Sequence, residues 1–127
     1  MAEVERTYYI TGELESEVYL VNGKKNGIYK KYYINGTLDE IYNYVDDKRE
    51  GEYKSYYENG NLCDIVYFID DKRNGEFIQY HENGVIHIIH NLKNDFIDGI
   101  YKEYYMDGAL KLIKHYTLPK SMKEQIN

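Results

Sequence analysis

Tryptophan is absent from these 127 residues, and cysteine and proline occur once each, as Cys63 and Pro119. A single cysteine excludes an intramolecular disulfide, so the chain must fold without that staple. No apolar run approaches the roughly 20 residues needed to span a bilayer. The longest, Val85-Ile86-His87-Ile88-Ile89, is strand-sized. The opening Met1-Ala2-Glu3-Val4-Glu5 lacks the basic region and apolar core of a signal peptide. Together these absences predict a soluble, cytoplasmic protein. A basic surplus is missing too. The net charge of −6 disfavours nucleic acid as a partner, because duplex binders normally concentrate lysine and arginine on one surface.

What is present is a repeat. A unit of 24 residues recurs five times without insertion or deletion, starting at Glu3, Gly27, Gly51, Gly75 and Gly99. A fixed period of this kind marks a stacked repeat architecture. Tyrosine supplies 17 of the 20 aromatic residues; it buries a ring while keeping a hydroxyl in water, which suits a thin sheet with two partly wet faces. In the second unit, Ile28-Tyr29-Lys30-Lys31-Tyr32-Tyr33-Ile34 is rich in strand formers and leads into Asn35-Gly36. That pair tolerates the positive φ of a two-residue type I′ turn. A second strand from Leu38 to Val45 follows, and Asp46-Asp47-Lys48-Arg49-Glu50 returns the chain to Gly51. The expected fold is all-β, a single curled antiparallel meander of about ten strands. It forms one domain over residues 3–117, with units 3–26, 27–50, 51–74, 75–98 and 99–122, and residues 118–127 as a C-terminal tail or cap.

Pairing parity assigns the faces. A two-residue turn at Asn35-Gly36 sets Tyr33 opposite Leu38 and Tyr29 opposite Tyr42, and a return loop over 47–50 sets Tyr44 opposite Tyr53. Face A then carries the rows Tyr9, Tyr33, Tyr57, His81, Tyr105 and Tyr29, Tyr53, Phe77, Tyr101. It also carries Leu14, Leu38, Leu62, Ile86, Leu110 and Leu20, Tyr44, Phe68, Leu92, Tyr116. Face B carries Tyr8, Tyr32, Tyr56, Tyr80 and Tyr104 beside Ile41, Ile65, Ile89 and Ile113, interleaved with Arg6, Lys30, Lys54 and Lys102. Face A is the more core-like. One hairpin cannot offset its own ordering entropy, so neighbouring units must shelter each other.

Chemistry-bearing groups are sparse. His81 and His90 fall on face A, out of line on neighbouring strands, and His87 and His115 fall on face B, so no metal site is expected. Cys63 reads as a strand filler on face B, and none of Ser16, Ser55 or Ser121 has a histidine beside it; catalytic residues and cofactors are therefore expected to be none. The carboxylate pairs Asp46-Asp47 and Asp70-Asp71 read as solvated turns. The stripe of Tyr32, Tyr56, Tyr80 and Tyr104 with Lys30, Lys54 and Lys102 is the first-choice partner-binding surface. Ordinary cross-strand packing of rings on lysine stems gives the same pattern. Ile88 and Leu112 form a second choice, because one face-A position reads Ser16, Glu40, Asp64, Ile88, Leu112 and turns apolar in the last two units. Charge also drifts along the array, from −4 over residues 1–17 to +2 over residues 99–127. Such a gradient steers a partner to one end or biases end-to-end association; drift on a solvated surface gives the same pattern equally. Pro119 and Lys111 discourage strand addition at the final edge.

At Asn22-Gly23-Lys24-Lys25-Asn26-Gly27 and from Gly51 to Leu62 the chain resembles the MORN family of repeats, and most closely the variant found in YwqK-type antitoxins. It departs from that pattern where Asp47, Asp71 and Asp95 replace the loop glycine kept at Gly23. The resemblance implies a single-layer curled sheet that binds partners along a face. It implies a non-enzymatic antitoxin or immunity-like inhibitor that occludes a toxin or effector-like protein. The alternative it implies is a peripheral scaffold on anionic membrane phospholipid. A second copy of the chain is a further candidate partner.

Overall fold

The computed structural model describes residues 2–121. Its strands form one open antiparallel sheet. The main path runs in chain order through ten of them: β1 Ala2–Tyr8, β2 Leu14–Val21, β4 Gly27–Tyr32, β5 Leu38–Val45, β7 Gly51–Tyr56, β8 Leu62–Ile69, β9 Lys72–Tyr80, β10 Ile86–Lys93, β12 Gly99–Tyr104 and β13 Leu110–Tyr116. Three two-residue pieces, β3 Lys24–Lys25, β6 Lys48–Arg49 and β11 Phe96–Ile97, extend the return turns and pair back on β2, β5 and β10. The all-β meander expected from the repeat is what forms.

The two kinds of turn exchange the roles expected of them. At Asn35-Gly36 the loop is three residues long: the Gly36 N–H donates to the Tyr33 carbonyl, and the Tyr33 N–H to the Thr37 carbonyl. Only Gly36 is left-handed there, at φ 90°, which is a type I turn closed by a glycine bulge. Asn35 serves instead through its side chain, accepting from the Thr37 N–H at 2.9 Å. The type I′ turns sit at the returns, where Asp46 and Asp47 (φ 46° and 69°) bring Val45 opposite Lys48 and Tyr44 opposite Arg49.

Register follows from these turns. Tyr29 lies opposite Tyr42 as expected, but Tyr33 faces Thr37, and Tyr32 pairs with Leu38. A bulge at Asp39 then restores the parity, with Lys31 opposite Glu40. Tyr44 faces Arg49, so Tyr53 meets the Tyr42 ring instead, at 5.4 Å between centroids. That two-residue slip keeps every side chain on its face. The bulge does not. Leu38, Leu62, Ile86 and Leu110 pair with Tyr32, Tyr56, Tyr80 and Tyr104, and so join face B. The bulge residues turn the other way: His87 stacks on His81 at 4.1 Å, placing it on face A with that residue.

The core lies on face A. Val18, Val66, Phe68 and Leu92 are buried there, and Tyr53, Phe77 and Ile97 pack against the cluster of Val66, Phe68 and Leu92. Rings continue the packing within units, at Tyr29–Tyr42 (4.7 Å) and Phe77–His90 (4.8 Å), and across them, at His90–Tyr101 (5.6 Å). Burial pushes the Tyr42 and Tyr53 phenols well above their ordinary pKa and holds the buried His90 imidazole below its own. The expected cap after Pro119 falls chiefly on residues 122–127, outside those described, but Leu118 is buried.

Candidate functional site

Face A is occupied by the array's own bonds. In the first three units the Tyr9-type residue reaches a main-chain carbonyl of the next unit: Tyr9 donates to the Tyr32 carbonyl, Tyr33 to that of Tyr56 and Tyr57 to that of Tyr80, each at 2.5 Å. His81, at the same position in unit four, keeps the contact through Nε2 and the Tyr104 carbonyl at 2.8 Å. Burial, reinforced by Asp39, pushes the Tyr33 phenol up to about 12. The Tyr33 and Tyr57 hydroxyls stay protonated and stay donors.

The return turns form a second ladder. Asp71 sits in the left-handed region and accepts the Arg49 backbone N–H at 3.2 Å and its Nε at 2.6 Å. Asp95 repeats this with Arg73, at 2.8 and 3.0 Å, and Asp47 accepts from the Lys25 backbone N–H at 2.8 Å. The Arg49 side chain and backbone N–H hold the Asp71 carboxyl below the usual carboxylate range. Arg49 also lies over the Phe68 ring at 4.3 Å. The aspartates expected to be solvated turns are therefore struts between units. The glycine lost at those positions is replaced by a residue that tolerates positive φ and adds an acceptor.

Face B keeps the expected stripe together. Lys30, Lys54 and Lys102 pair with Ile41, Ile65 and Ile113 at equivalent ladder positions, with Tyr32, Tyr56 and Tyr104 two residues on, all half-buried except the exposed Ile113. Lys54 is drawn to Glu52 at 3.2 Å. Tyr80 keeps its place in the row, but unit four has Ile78 where the others have a base, and Ile78 lies between Ile65 and Ile89. This breaks the basic row and opens a shallow apolar groove of about 450 Å³ lined by Ile65, Tyr67, Ile69, Ile78 and Tyr80. Tyr67 and Ile69 are 53% and 58% exposed. Sequence reasoning missed this groove. Its signal is the isoleucine at a lysine position.

The second-choice pair lies apart from the groove. Ile88 and Leu112 are on face A, opposite Glu103 from its two sides, and both are half-buried, so no wide greasy strip opens there. Glu103 is held by Lys111 at 3.0 Å, with His87 at 4.0 Å. Cys63, placed on face B by sequence, is a bulge residue like His87; burial raises its thiol, with Tyr57, Ser55 and Asp64 around it. Among the described residues no group of three or more His, Cys, Asp or Glu could hold a metal ion, and no helix is long and apolar enough to cross a membrane.

Comparison with known proteins adds one strong relation. The MORN repeat variant family matches residues 25–46, 49–70 and 73–94, just over half of the chain. No curated protein matches. Among solved structures, a chain of the GtfA/B complex bound to UDP and GlcNAc is similar over 91% of this chain, with 11% identity and a TM-score of 0.34. This chain spans 24% of that one's length, a likeness too distant to carry fold or function.

Proposed function

We propose, from the premise that this chain belongs to the MORN repeat variant family, that it is an antitoxin- or immunity-like inhibitor that occludes a partner protein in the cytoplasm. Repeats of this family are generally non-enzymatic modules that bind proteins or membranes. The observation that carries the reading is the inequality of the two faces. On face A the tyrosine and arginine tips are spent on neighbouring units. On face B, Ile28, Tyr67, Ile69, Ile100 and Ile113 stand exposed, and among the described residues no second layer covers them. An apolar groove with tyrosines at its rim has the composition of an interface hot spot. Glu76 lines the groove itself, and Lys54 and Lys102 stand two strands from Ile78 on either side, so the complementary partner presents an apolar anchor with polar neighbours of both signs.

The test is co-purification of a single stoichiometric protein whose toxicity is relieved by co-expression. Ile78→Glu and Tyr67→Ala should abolish both capture and relief, while a surface change on the other face, such as Lys31→Ser, leaves them intact. Equal loss from both faces would contradict the reading. The lysine row favours one second reading, attachment to anionic phospholipid, where each base near the surface contributes about 1 kcal/mol. Flotation with phosphatidylserine vesicles separates the two. Lipid binding lost in Lys30/Lys54/Lys102→Glu, with no protein captured, would replace inhibition by scaffolding.

A further inference from the structure

The two edges of the sheet, β1 and β13, are unfinished copies of an internal junction. Everywhere inside the array, one unit's second strand meets the next unit's first strand in a fixed register. Ser16 lies opposite Lys31 and Glu17 opposite Lys30; Glu40 opposite Ser55 and Ile41 opposite Lys54; Ile88 opposite Glu103 and Ile89 opposite Lys102. Advancing by one 24-residue unit puts Leu112 opposite the position of Thr7, and Ile113 opposite that of Arg6. One step further, Lys114 falls opposite Glu5.

We propose that this chain adds to a second copy of itself head to tail, β13 of one against β1 of the next, in the register of its own internal junctions. Three independent features fit that occupant. The first is the exposure of residues whose internal counterparts are sheltered. All of β1 is exposed, and Tyr105, Leu110 and Ile113 are 52%, 48% and 45% exposed. Tyr33, Leu38 and Ile41, at the same unit positions, are half-buried. Terminal repeats of stacked arrays ordinarily turn polar where they meet solvent; β1 does so at Glu5, where the other units carry Tyr29, Tyr53, Phe77 or Tyr101, whereas Val4, Tyr8, Tyr105, Leu110 and Ile113 keep their apolar identity.

The second feature is a matched donor and acceptor. Tyr9, Tyr33 and Tyr57 each donate to a carbonyl 23 residues onward. Tyr105 makes no such bond among the described residues, and in the junction register the same step lands on the Tyr8 carbonyl of a second copy. The third is charge. The β1 hairpin carries −4 over residues 1–17 and the last unit +2 over residues 99–127, so like ends repel and unlike ends attract. Lys111, expected to guard the edge, is drawn back onto Glu103 and the Tyr105 ring of its own hairpin. Pro119 lies beyond the strand end at Tyr116 and blocks none of these pairs. A head-to-tail contact leaves one edge free at each end, so growth is open unless the curl closes a ring. The inference stands apart from the face-B reading, since an edge contact leaves that face uncovered.

The experiment is sedimentation velocity on the full chain over a range of concentrations at low salt, with Glu5→Lys, Lys114→Glu and both changes in one chain. Both residues are exposed, and circular dichroism checks that each variant folds. Concentration-dependent species above monomer are expected. Each single reversal should weaken association about fivefold by setting like charges opposite one another, and the double reversal should restore it. A second measurement joins Arg6→Cys with Ile113→Cys in a Cys63→Ser background. These positions lie on opposite edges of one sheet, so oxidation can bridge only different copies, and a ladder of dimers and longer species is expected on a non-reducing gel. A monomer at every concentration, or association indifferent to both single reversals, or failure to form the ladder, would overturn the proposal.

Discussion

A hydroxyl that reaches a carbonyl across a unit junction can be deleted without removing its ring. Tyr57 donates to Tyr80 across a unit junction at 2.5 Å, whereas Tyr105, at the same position of the last unit, is exposed. Tyr57→Phe should therefore lose about 0.5–1.5 kcal/mol in urea unfolding, and Tyr105→Phe should stay within about 0.5 kcal/mol of the parent monomer. Equal effects would mean that the row packs rings and nothing more. At this scale the sequence reveals the tyrosine column and its common face, because spacing alone fixes both. The destination of the hydroxyls is not legible, since it depends on how far one unit is offset from the next. The same holds for Cys63 and His87, which a bulge carries to the face opposite that expected from strict alternation.

Among the elements, the return turns are where sequence and structure diverge most instructively. Leu38–Val45 was legible to the residue from its strand formers and flanking turns. The turn chemistry was not: Asn-Gly at 35–36 carries a strong hairpin signature, yet Asp46-Asp47 takes the type I′ geometry. A side-chain acceptor lets aspartate replace glycine there, because the bond it makes to the preceding unit offsets the cost of a left-handed backbone. Asp71→Asn keeps the acceptor and removes the charge, and should cost up to about 1 kcal/mol at neutral pH. Asp71→Ala also leaves the Arg49 N–H without that acceptor and puts a Cβ-bearing residue without a compensating bond at φ 68°, adding about 1–2 kcal/mol. Because folding lowers the Asp71 pKa, the native state resists the proton that the unfolded chain takes up near pH 3.9. The contribution is thus present above that pH and lost as acid carries the native state through its lower value. Denaturant midpoints between neutral pH and pH 2 should fall less steeply for Asp71→Asn than for the parent. A parallel fall would show that Asp71 is a passive turn residue.

For the molecule as a whole, the repeat made the meander readable at once, and an alternation of period two made its faces readable despite a register two residues out. The apolar groove was hidden because it arises from one departure, Ile78, set between the regular Ile65 and Ile89 of the neighbouring strands. Only the assembled sheet shows that the break in the lysine row coincides with exposed Tyr67 and Ile69. The division of labour that results, one face consumed by cohesion and the other left for a partner, can be tested without knowing the partner. A photo-crosslinking phenylalanine analogue placed at Tyr67 on face B, and separately at Tyr29 on face A, would be irradiated in the cells that make the protein. A discrete adduct with one heterologous protein from position 67, and none from position 29, is the result expected of a face-B interface. Adducts of equal yield from both positions, or only from position 29, would contradict it.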